Sequence, residues 1–443
     1  MARSAVIMAG GKGTRLAERL NGRPKPLVDI DGVPLLERQL KALKSGGVTR
    51  AIILVNHEAD QIRDFCAQSD GFGLDIAIID DGSPRGTAGA LLAVLDALPE
   101  RFLVVYGDTL FDVDFDALWT AHEAAGADAT LFAHPNDHPH DSDIIEANAD
   151  GRVRAFHAYP HPEGRYLPNL VNAALYVIER TALEPWRAFR QPSDLAKHLF
   201  PAMLEAGADL RAYRSAEYIK DIGTPARLDK AVGHLRSGVV ARAKRTEPQR
   251  VVFLDRDGTL NHLTTADYVR SPSDLELLPG AAAAVKALNA AEYRAVLVTN
   301  QPVLARGEAS FEDLAQIHAK LETELGRGGA YLDAIHFCPH HPHKGFPGEV
   351  AALKMDCACR KPSTGMIEAA EREFAIDRAR SWMIGDTTMD LELARRAGLR
   401  SVLVETGEAG KDGKYDAVPD LRAGTILEAV EAIVSLDGAD RSP

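Results

Sequence analysis

Cysteine is scarce in this chain: there are four among 443 residues, and three of the four fall between positions 338 and 362. So small a supply excludes a disulfide-built scaffold, and its clustering points to metal binding in a reducing compartment. Long apolar runs are missing as well. No stretch approaches the roughly 20 residues that a bilayer requires, so no membrane partner is expected. Positive charge is not in excess either. A net charge of −13 argues against a nucleic-acid partner, yet it permits anionic ligands held by a few local cations, glycine amides and metal ions. The opening "MARSAVIMAGGKGTRL" runs from a short apolar stretch straight into glycines and basic residues, without a small-residue cleavage site. It reads as no signal peptide, and the expected location is cytoplasmic. Small molecules are the expected partners, and nothing in the composition speaks against a homo-oligomer.

What is present is alternation. Short apolar runs, such as "AVIM", "AIILV" and "FLVVY", are each followed by helix-like spacing. The pattern restarts after Arg250 with "VVFLDRDGT", "YRAVLVTN" and "SWMIGD". Buried strands alternating with helices predict an α/β fold of two doubly wound domains built on mostly parallel sheets. The expected bounds are 1–237 and 250–436. Residues 238–249 lie within the arginine-rich "RSGVVARAKRTEPQR" and read as a solvated linker, and residues 437–443 as a disordered tail.

The second half carries polar residues on successive strand ends, where open α/β sheets bind ligands. Asp255 is suited to attack phosphorus, and Asp257, two residues on, to protonate the leaving oxygen and then deprotonate water. Thr299 and Asn300 end a second strand with groups that can hold phosphate oxygens. Lys361 supplies a cation for a transferring phosphoryl group. Asp386 and Asp390 complete an oxygen shell for Mg²⁺. Each alone is consistent with a turn, a cap or a surface side chain; the set in this order is a catalytic pattern. Before Lys361, Cys338 and His340, then Cys357 and Cys359, supply four ligands for a closed, structural Zn²⁺ site. His341 and His343 are further candidates for the histidine position.

This arrangement resembles the haloacid dehalogenase (HAD) phosphatases over about residues 250–435. The resemblance implies Asp255 as the nucleophile that becomes an aspartyl-phosphate and Asp257 as the general acid/base. It implies Mg²⁺ on Asp255, Asp386 and the Asp257 backbone carbonyl, with Asp390 in support. The zinc loop ahead of "CRKP" is similar to the D-glycero-D-manno-heptose 1,7-bisphosphate 7-phosphatases and the related histidinol-phosphate phosphatases, which implies that Arg360 touches substrate. "TNQPVLARG" departs from the more typical "TNQSGIARG", so residues Pro302 to Leu304 put the fine substrate fit in question.

In the first half, "MAGGKGTRL" follows a strand and is expected to open a helix. There the amides of Gly10, Gly11, Gly13 and Thr14 can cradle phosphates, although neither the Walker A nor the GxGxxG spacing is met. Lys25 stands between two prolines. With "PKPL", this loop resembles the sugar-1-phosphate nucleotidylyltransferases over about residues 3–235. The resemblance implies that Gly86, Thr87 and Ala88 meet the base of an NTP. It assigns Mg²⁺ to Asp108 and Asp221, sugar contact to Asn172, and neutralisation of the transferring phosphates to Arg15 and Lys25. The usual Glu-Lys-Pro is absent near "RAFHAYPHPEGRY", where His157, His161 or Arg165 can substitute, and Ala174 replaces the usual glycine. Together the two halves imply consecutive steps: removal of the 7-phosphate from a heptose bisphosphate, then nucleotidyl transfer to the heptose 1-phosphate. GTP is the leading donor, with other NTPs open. The alternative is a mannose-1-phosphate-type transferase joined to a phosphatase for histidinol phosphate or another small monoester.

Overall fold

Ala5 and Ile7 pack into one hydrophobic core and Val6, between them, into another. Ile53 and Ile52 divide in the same way. Strands apolar on both faces belong in the middle of a sheet covered from both sides. The computed structural model describes residues 3–11, 13–56, 59–82, 84–190, 192–264 and 268–440, and the chain divides into two units. The first comprises 1–134, 143–158 and 170–244; the second comprises 135–142, 159–169 and 245–443.

In the first unit, Arg3–Met8, Val48–Val55, Asp75–Asp80 and Arg101–Tyr106 run parallel. The long strand Val171–Glu179 then joins antiparallel to Arg101–Tyr106, and four further strands complete a nine-stranded sheet. This sheet is thus mixed, with its parallel part under the glycine loop. Gly13 takes a left-handed conformation (φ 63) and leads into a single 3-10 turn, Thr14–Leu16, and a four-residue helix, Ala17–Leu20. The full helix expected after the loop is absent, so any phosphate cradle here rests on loop amides rather than on a helix dipole.

The second unit holds a six-stranded, wholly parallel sheet. Its order is Ala334–Cys338, Arg294–Asn300, Val251–Leu254, Trp382–Gly385, Arg400–Val404, Leu421–Ala423. The chain steps outward from Val251–Leu254 in one direction, then returns to build the other side. The crevice of such a sheet lies between the two strands at which the direction reverses. Asp255 and Asp386 follow directly on those two strands.

Two expectations need correction. The stretch expected to be a solvated linker is anchored at both ends. Val239–Arg242 is helical with Val240 buried beside Leu228 and Ala231, and Gln249 exchanges backbone hydrogen bonds with Ala375 and Asp377. The tail is helical through Asp440, because Arg250 and Arg380 both bind Asp437; residues 441–443 lie outside the described residues. No described helix is long and apolar enough to cross a membrane.

Candidate active sites

Lys361 is the hub of the second unit's centre. Its Nζ donates to Asp255 at 2.5 Å and to Asp390 at 2.6 Å, and all three side chains are buried. Asp255, Asp386 and Asp390 each bring one carboxylate oxygen within 4.8 Å of the others. Burial raises Asp255, Lys361 pulls it back, Asp390 raises it again, and the balance pushes it up to about 7. Burial first, then the charges of Asp255 and Asp390, push Asp386 up to about 8. Burial works against the Lys361 charge, but the two aspartates outweigh it and hold the amine above its usual range. The raised carboxyls reflect three acidic groups crowded around one ammonium, a set of hard oxygen donors suited to a cation such as Mg²⁺.

Asp386 adds a more specific sign. Its Oδ2 accepts from the Glu408 amide at 2.7 Å, while its buried Oδ1 has no partner among the described residues. Glycine is required around it: a Cβ on Gly258 or Gly407, both left-handed, would come within 2.4 or 2.1 Å of Asp386 Oδ2. The sequence "DRDGT" therefore carries its glycine for close approach as much as for the turn.

Asp257 is held by residues that sequence reasoning passed over. Arg256, fully buried, donates to both of its oxygens; Asn261 donates to Oδ1 at 3.1 Å and Gln301 to Oδ2 at 3.0 Å. Burial raises the Asp257 carboxyl, but Arg256 and these amides outweigh it and keep it below its ordinary range. Gln301 also donates to the Thr299 hydroxyl at 2.8 Å, leaving the Thr299 proton to be given elsewhere. Asn300 differs from expectation: its amide grips the Lys361 backbone, accepting from N at 3.0 Å and donating to O at 3.3 Å. It sets the lysine in place rather than presenting itself to phosphate. Pro302, Val303 and Leu304 are buried, the last two in a small core with Leu314. The departure at this point is a packing change, not a change in an exposed lining.

The four zinc candidates come together. The Sγ atoms of Cys338, Cys357 and Cys359 lie 3.2–3.5 Å apart, and His340 Nδ1 lies 3.2 Å from Cys359 Sγ and 3.8 Å from Cys338 Sγ. Tetrahedral zinc with sulfur bonds of about 2.3 Å has ligand edges of roughly 3.4–3.8 Å, close to these separations. His341 instead takes a hydrogen bond from the His343 amide on Nδ1, so His340 is the histidine of the cluster. Arg360, directly after Cys359, donates to the His340 carbonyl at 3.2 Å.

In the first unit, a cavity of about 300 Å³ is lined by Gly10, Gly11, Lys25, Gly86, Thr87 and Asp108, among others. Lys25 Nζ bonds Asp108. Asp221 accepts twice from Arg227, at 2.7 and 2.8 Å. A Cβ on Gly223 would stand 3.2 Å from both Arg15 Nη2 and Asp221 Oδ1 and 3.6 Å from Lys25 Nζ, so these charges converge on one glycine. The strand Tyr218–Asp221 pairs with Thr109–Asp112, and the Ile222 amide donates to the Asp108 carbonyl, which brings the two aspartates onto neighbouring strand ends. Ala88 differs from expectation: it is fully buried and its amide is spent on the Ser193 carbonyl. Thr87 lines the cavity, but its hydroxyl accepts from the Leu195 amide and donates to Asp194.

Two further cavity residues carry a signal that the sequence could have offered as a polar pair after consecutive strands. Asn56 and Asp81 follow the register partners Val55 and Asp80. Each has a buried side-chain oxygen, Asn56 Oδ1 and Asp81 Oδ1, without a partner among the described residues. In the segment expected to meet the sugar, Asn172 donates to the Tyr176 hydroxyl at 3.0 Å, and Ala174 sits in the left-handed region (φ 55). Of the three candidates for the missing lysine, His161 and Arg165 fall in the second unit. His157 stays in the first, 2.9 Å from Glu146.

Two centres built of convergent lysine, arginine and carboxylate groups at parallel strand ends define an enzyme of phosphoryl-group chemistry. A nucleotidyl transferase family model matches residues 4–237, and a HAD-hydrolase-like model matches residues 358–429. The D-glycero-D-manno-heptose-1,7-bisphosphate 7-phosphatase of Thermosynechococcus vestitus is 39% identical over 193 residues, 42% of this chain and 96% of that protein. The mannose-1-phosphate guanylyltransferase catalytic subunit beta of Drosophila pseudoobscura pseudoobscura is 31% identical over half of this chain and 59% of that protein. The crystal structure of HddC from Yersinia pseudotuberculosis covers 53% of this chain and 99% of its own, with 24% identity and a TM-score of 0.45. The chain belongs to the nucleotidyl transferase family through its N-terminal part and to the heptose-bisphosphate 7-phosphatases, among the HAD-like hydrolases, through its C-terminal part.

Proposed function

We propose that this chain is a cytoplasmic enzyme of two consecutive steps, with a transferase domain at 1–237 and a phosphatase domain at 250–436. The phosphatase removes the 7-phosphate of D-glycero-D-manno-heptose 1,7-bisphosphate, and the transferase joins a nucleotidyl group to the heptose 1-phosphate so formed. The observation that carries this reading is the union, on one chain, of a nucleotidyl transferase with a close relative of the heptose-bisphosphate phosphatases. The product of the second is a sugar 1-phosphate, which is the acceptor the first requires.

In the phosphatase, an Asp255 oxygen attacks phosphorus as the bond to the sugar oxygen breaks, and Asp257 gives that oxygen its proton. Water then attacks the aspartyl-phosphate, Asp257 takes its proton, and inorganic phosphate leaves with Asp255 restored. The phosphate dianion raises the proton affinity of Asp257, which Arg256 and its amide partners otherwise hold ionised. Thr299 and Lys361 bind the phosphoryl oxygens. Asp255, Asp386 and the Asp257 carbonyl, with Asp390 in support, would hold Mg²⁺, which would offset charge at the phosphate. Cys338, His340, Cys357 and Cys359 would hold a structural Zn²⁺, which would fix the loop that delivers Arg360 and Lys361.

In the transferase, an oxygen of the sugar 1-phosphate attacks the α-phosphorus of the NTP and pyrophosphate leaves. The work is positioning and charge neutralisation by the Gly10–Thr14 loop, Arg15 and Lys25, with Mg²⁺ held by Asp108 and Asp221. Asn172 orients the sugar. The unpartnered oxygens of Asn56 and Asp81 support GTP as donor: two acceptors on adjacent strands match guanine, whose pairing edge offers two neighbouring donors, better than the other bases. Mass spectrometry of the products from heptose 1,7-bisphosphate, Mg²⁺ and each NTP in turn tests the proposal. GDP-heptose as the favoured product is expected. Heptose 1-phosphate alone would refute the consecutive step, and unchanged bisphosphate would favour the mannose-type alternative.

A further inference from the structure

Asn172 and Tyr176 lie four residues apart on one strand, Val171–Glu179. A regular strand would hold such residues roughly 13 Å apart. Here the Asn172 Nδ2 donates to the Tyr176 hydroxyl at 3.0 Å. A bulge makes this possible. Asn172 stands opposite Ala133 and Tyr176 opposite Leu131, so four residues advance past only two of the neighbouring strand, with Ala174 left-handed between them (φ 55). The Ala174 amide donates to the Asn172 Oδ1 at 3.4 Å. An amide N–H can only donate, so the oxygen of the Asn172 side chain faces Ala174 and the nitrogen faces Tyr176; Oδ1 keeps a second lone pair.

The hydroxyl that receives Asn172 belongs to a longer chain. Tyr176 is fully buried, and its ring meets that of Tyr106 edge to face, with centroids 6.2 Å apart. The two hydroxyls are hydrogen-bonded to each other, and burial above all holds both phenols protonated. Tyr106 donates to Thr87 Oγ1 at 3.2 Å, and Thr87 to Asp194 Oδ2 at 2.9 Å. Asp194 is itself fixed, its Oδ1 accepting from the Ala196 and Lys197 amides at 2.9 and 3.0 Å. A carboxylate only accepts. From that end the protons line up in one direction: Thr87 gives to Asp194, Tyr106 to Thr87, and Tyr176 to Tyr106. The Tyr176 oxygen is left as an acceptor, which only the nitrogen of Asn172 can satisfy.

We infer that this chain, from Asp194 through Thr87, Tyr106 and Tyr176, fixes which edge of the Asn172 amide is offered to the sugar. The carbonyl edge is presented, an acceptor for a sugar hydroxyl. Tyr176 is a positioning residue that reaches the substrate only through Asn172. The inference rests on the transferase reading above, in which Asn172 orients the sugar, and deepens it: selection of the sugar depends on a buried phenol that the substrate does not touch. The same chain passes the nucleotide cavity, which Thr87 and Tyr106 line.

The test is a double-mutant cycle of Y176F and N172A, read as KM for heptose 1-phosphate and KM for the preferred NTP. Phenylalanine keeps the edge-to-face contact with Phe200 at 4.9 Å and removes only the hydroxyl. Y176F is expected to raise KM for heptose 1-phosphate about tenfold while KM for the NTP stays within about twofold. In the N172A background the same change should add less than about twofold, because the phenol has nothing left to orient. Full additivity in the cycle, an equal rise in both KM values, or an unchanged KM for heptose 1-phosphate would make Tyr176 a packing residue and overturn the inference. Should Y176F show no cooperative thermal transition, Y106F, which cuts the chain one link further on, replaces it, and additivity with N172A decides. If wild type does not use heptose 1-phosphate, the function proposed above fails, and the cycle read with mannose 1-phosphate judges Tyr176. A wild type that uses neither sugar phosphate overturns both.

Discussion

Asp81 and Asn56 line the cavity of the first unit, and each has a buried side-chain oxygen with no partner among the described residues. Replacing Asp81 by Asn exchanges one acceptor for a donor, which clashes with a base that itself donates. Asp81→Asn is expected to cut the preference for GTP over other NTPs by about 10- to 100-fold in kcat/KM; an unaltered preference in an NTP panel would remove Asp81 from base selection. His318 makes a second prediction. It is buried against the Phe337 ring and Arg256, and burial first, then the Arg256 charge, depresses it to about 3. An unfolded histidine titrates near 6.5. Its contribution is therefore complete above pH 6.5 and is lost as pH falls toward 3, where the unfolded chain takes up a proton that the native one refuses. The slope is at most about 1.4 kcal/mol per pH unit. His318→Gln should lose less stability than wild type between pH 7 and pH 5, as read from urea midpoints; parallel losses would contradict the assignment. At this scale the sequence was legible where chemistry dictates a residue type at a fixed offset, as for Asp255, Asp257, Asp386 and Lys361. Arg256 was not, although it sits between two of them. Nothing local tells that an arginine is folded back onto its neighbour's carboxylate rather than extended into solvent.

The loop from Cys338 to Cys359 carries the four side chains that could hold one metal ion. It is long, carries little regular structure beyond the 3-10 turn Ala351–Leu353, and brings Phe346, Arg360 and Lys361 to their places. Chain entropy opposes such an arrangement, and a cation held by the four side chains would offset it. Cys357→Ser is expected to empty the site and lower phosphatase activity by about tenfold or more, with nucleotidyl transfer retained; full activity in zinc-free protein would show that the loop holds itself. The gathering of these four side chains was legible from their spacing. The element after the glycine loop was not. "GTRLAERL" has helix-like composition, yet the left-handed Gly13 and the left-handed Asn21 bracket it so closely that only a 3-10 turn and four helical residues fit. The joint at 238–249 misled for a related reason. Its charged residues describe a surface, but Val240 and Gln249 tie it down, and single buried positions leave no periodic trace.

For the whole molecule, the two centres share no residue, and a substitution in one should be silent in the other. Asp255→Asn is expected to reduce phosphatase turnover to background while nucleotidyl transfer to supplied heptose 1-phosphate stays within about twofold of wild type, and Asp108→Asn to do the reverse. Loss of both activities in either folded variant would refute separate centres. The two α/β units and the strand-end location of their sites were legible, because buried strands and their polar termini are local patterns. The assignment of residues 135–142 and 159–169 to the second unit was not, because it depends on partners more than 150 positions away. The helix Phe311–Arg327 supplies them: Thr323 accepts from the Leu167 amide, Glu322 from the Asn169 amide, and Lys320 faces the Tyr166 ring. The second unit is therefore not separable from the first by a single cut in the gene. A fragment beginning at 245 would lack two of its own pieces, and an expression plasmid designed at the apparent boundary would yield a protein with a bare helix face where those segments belong.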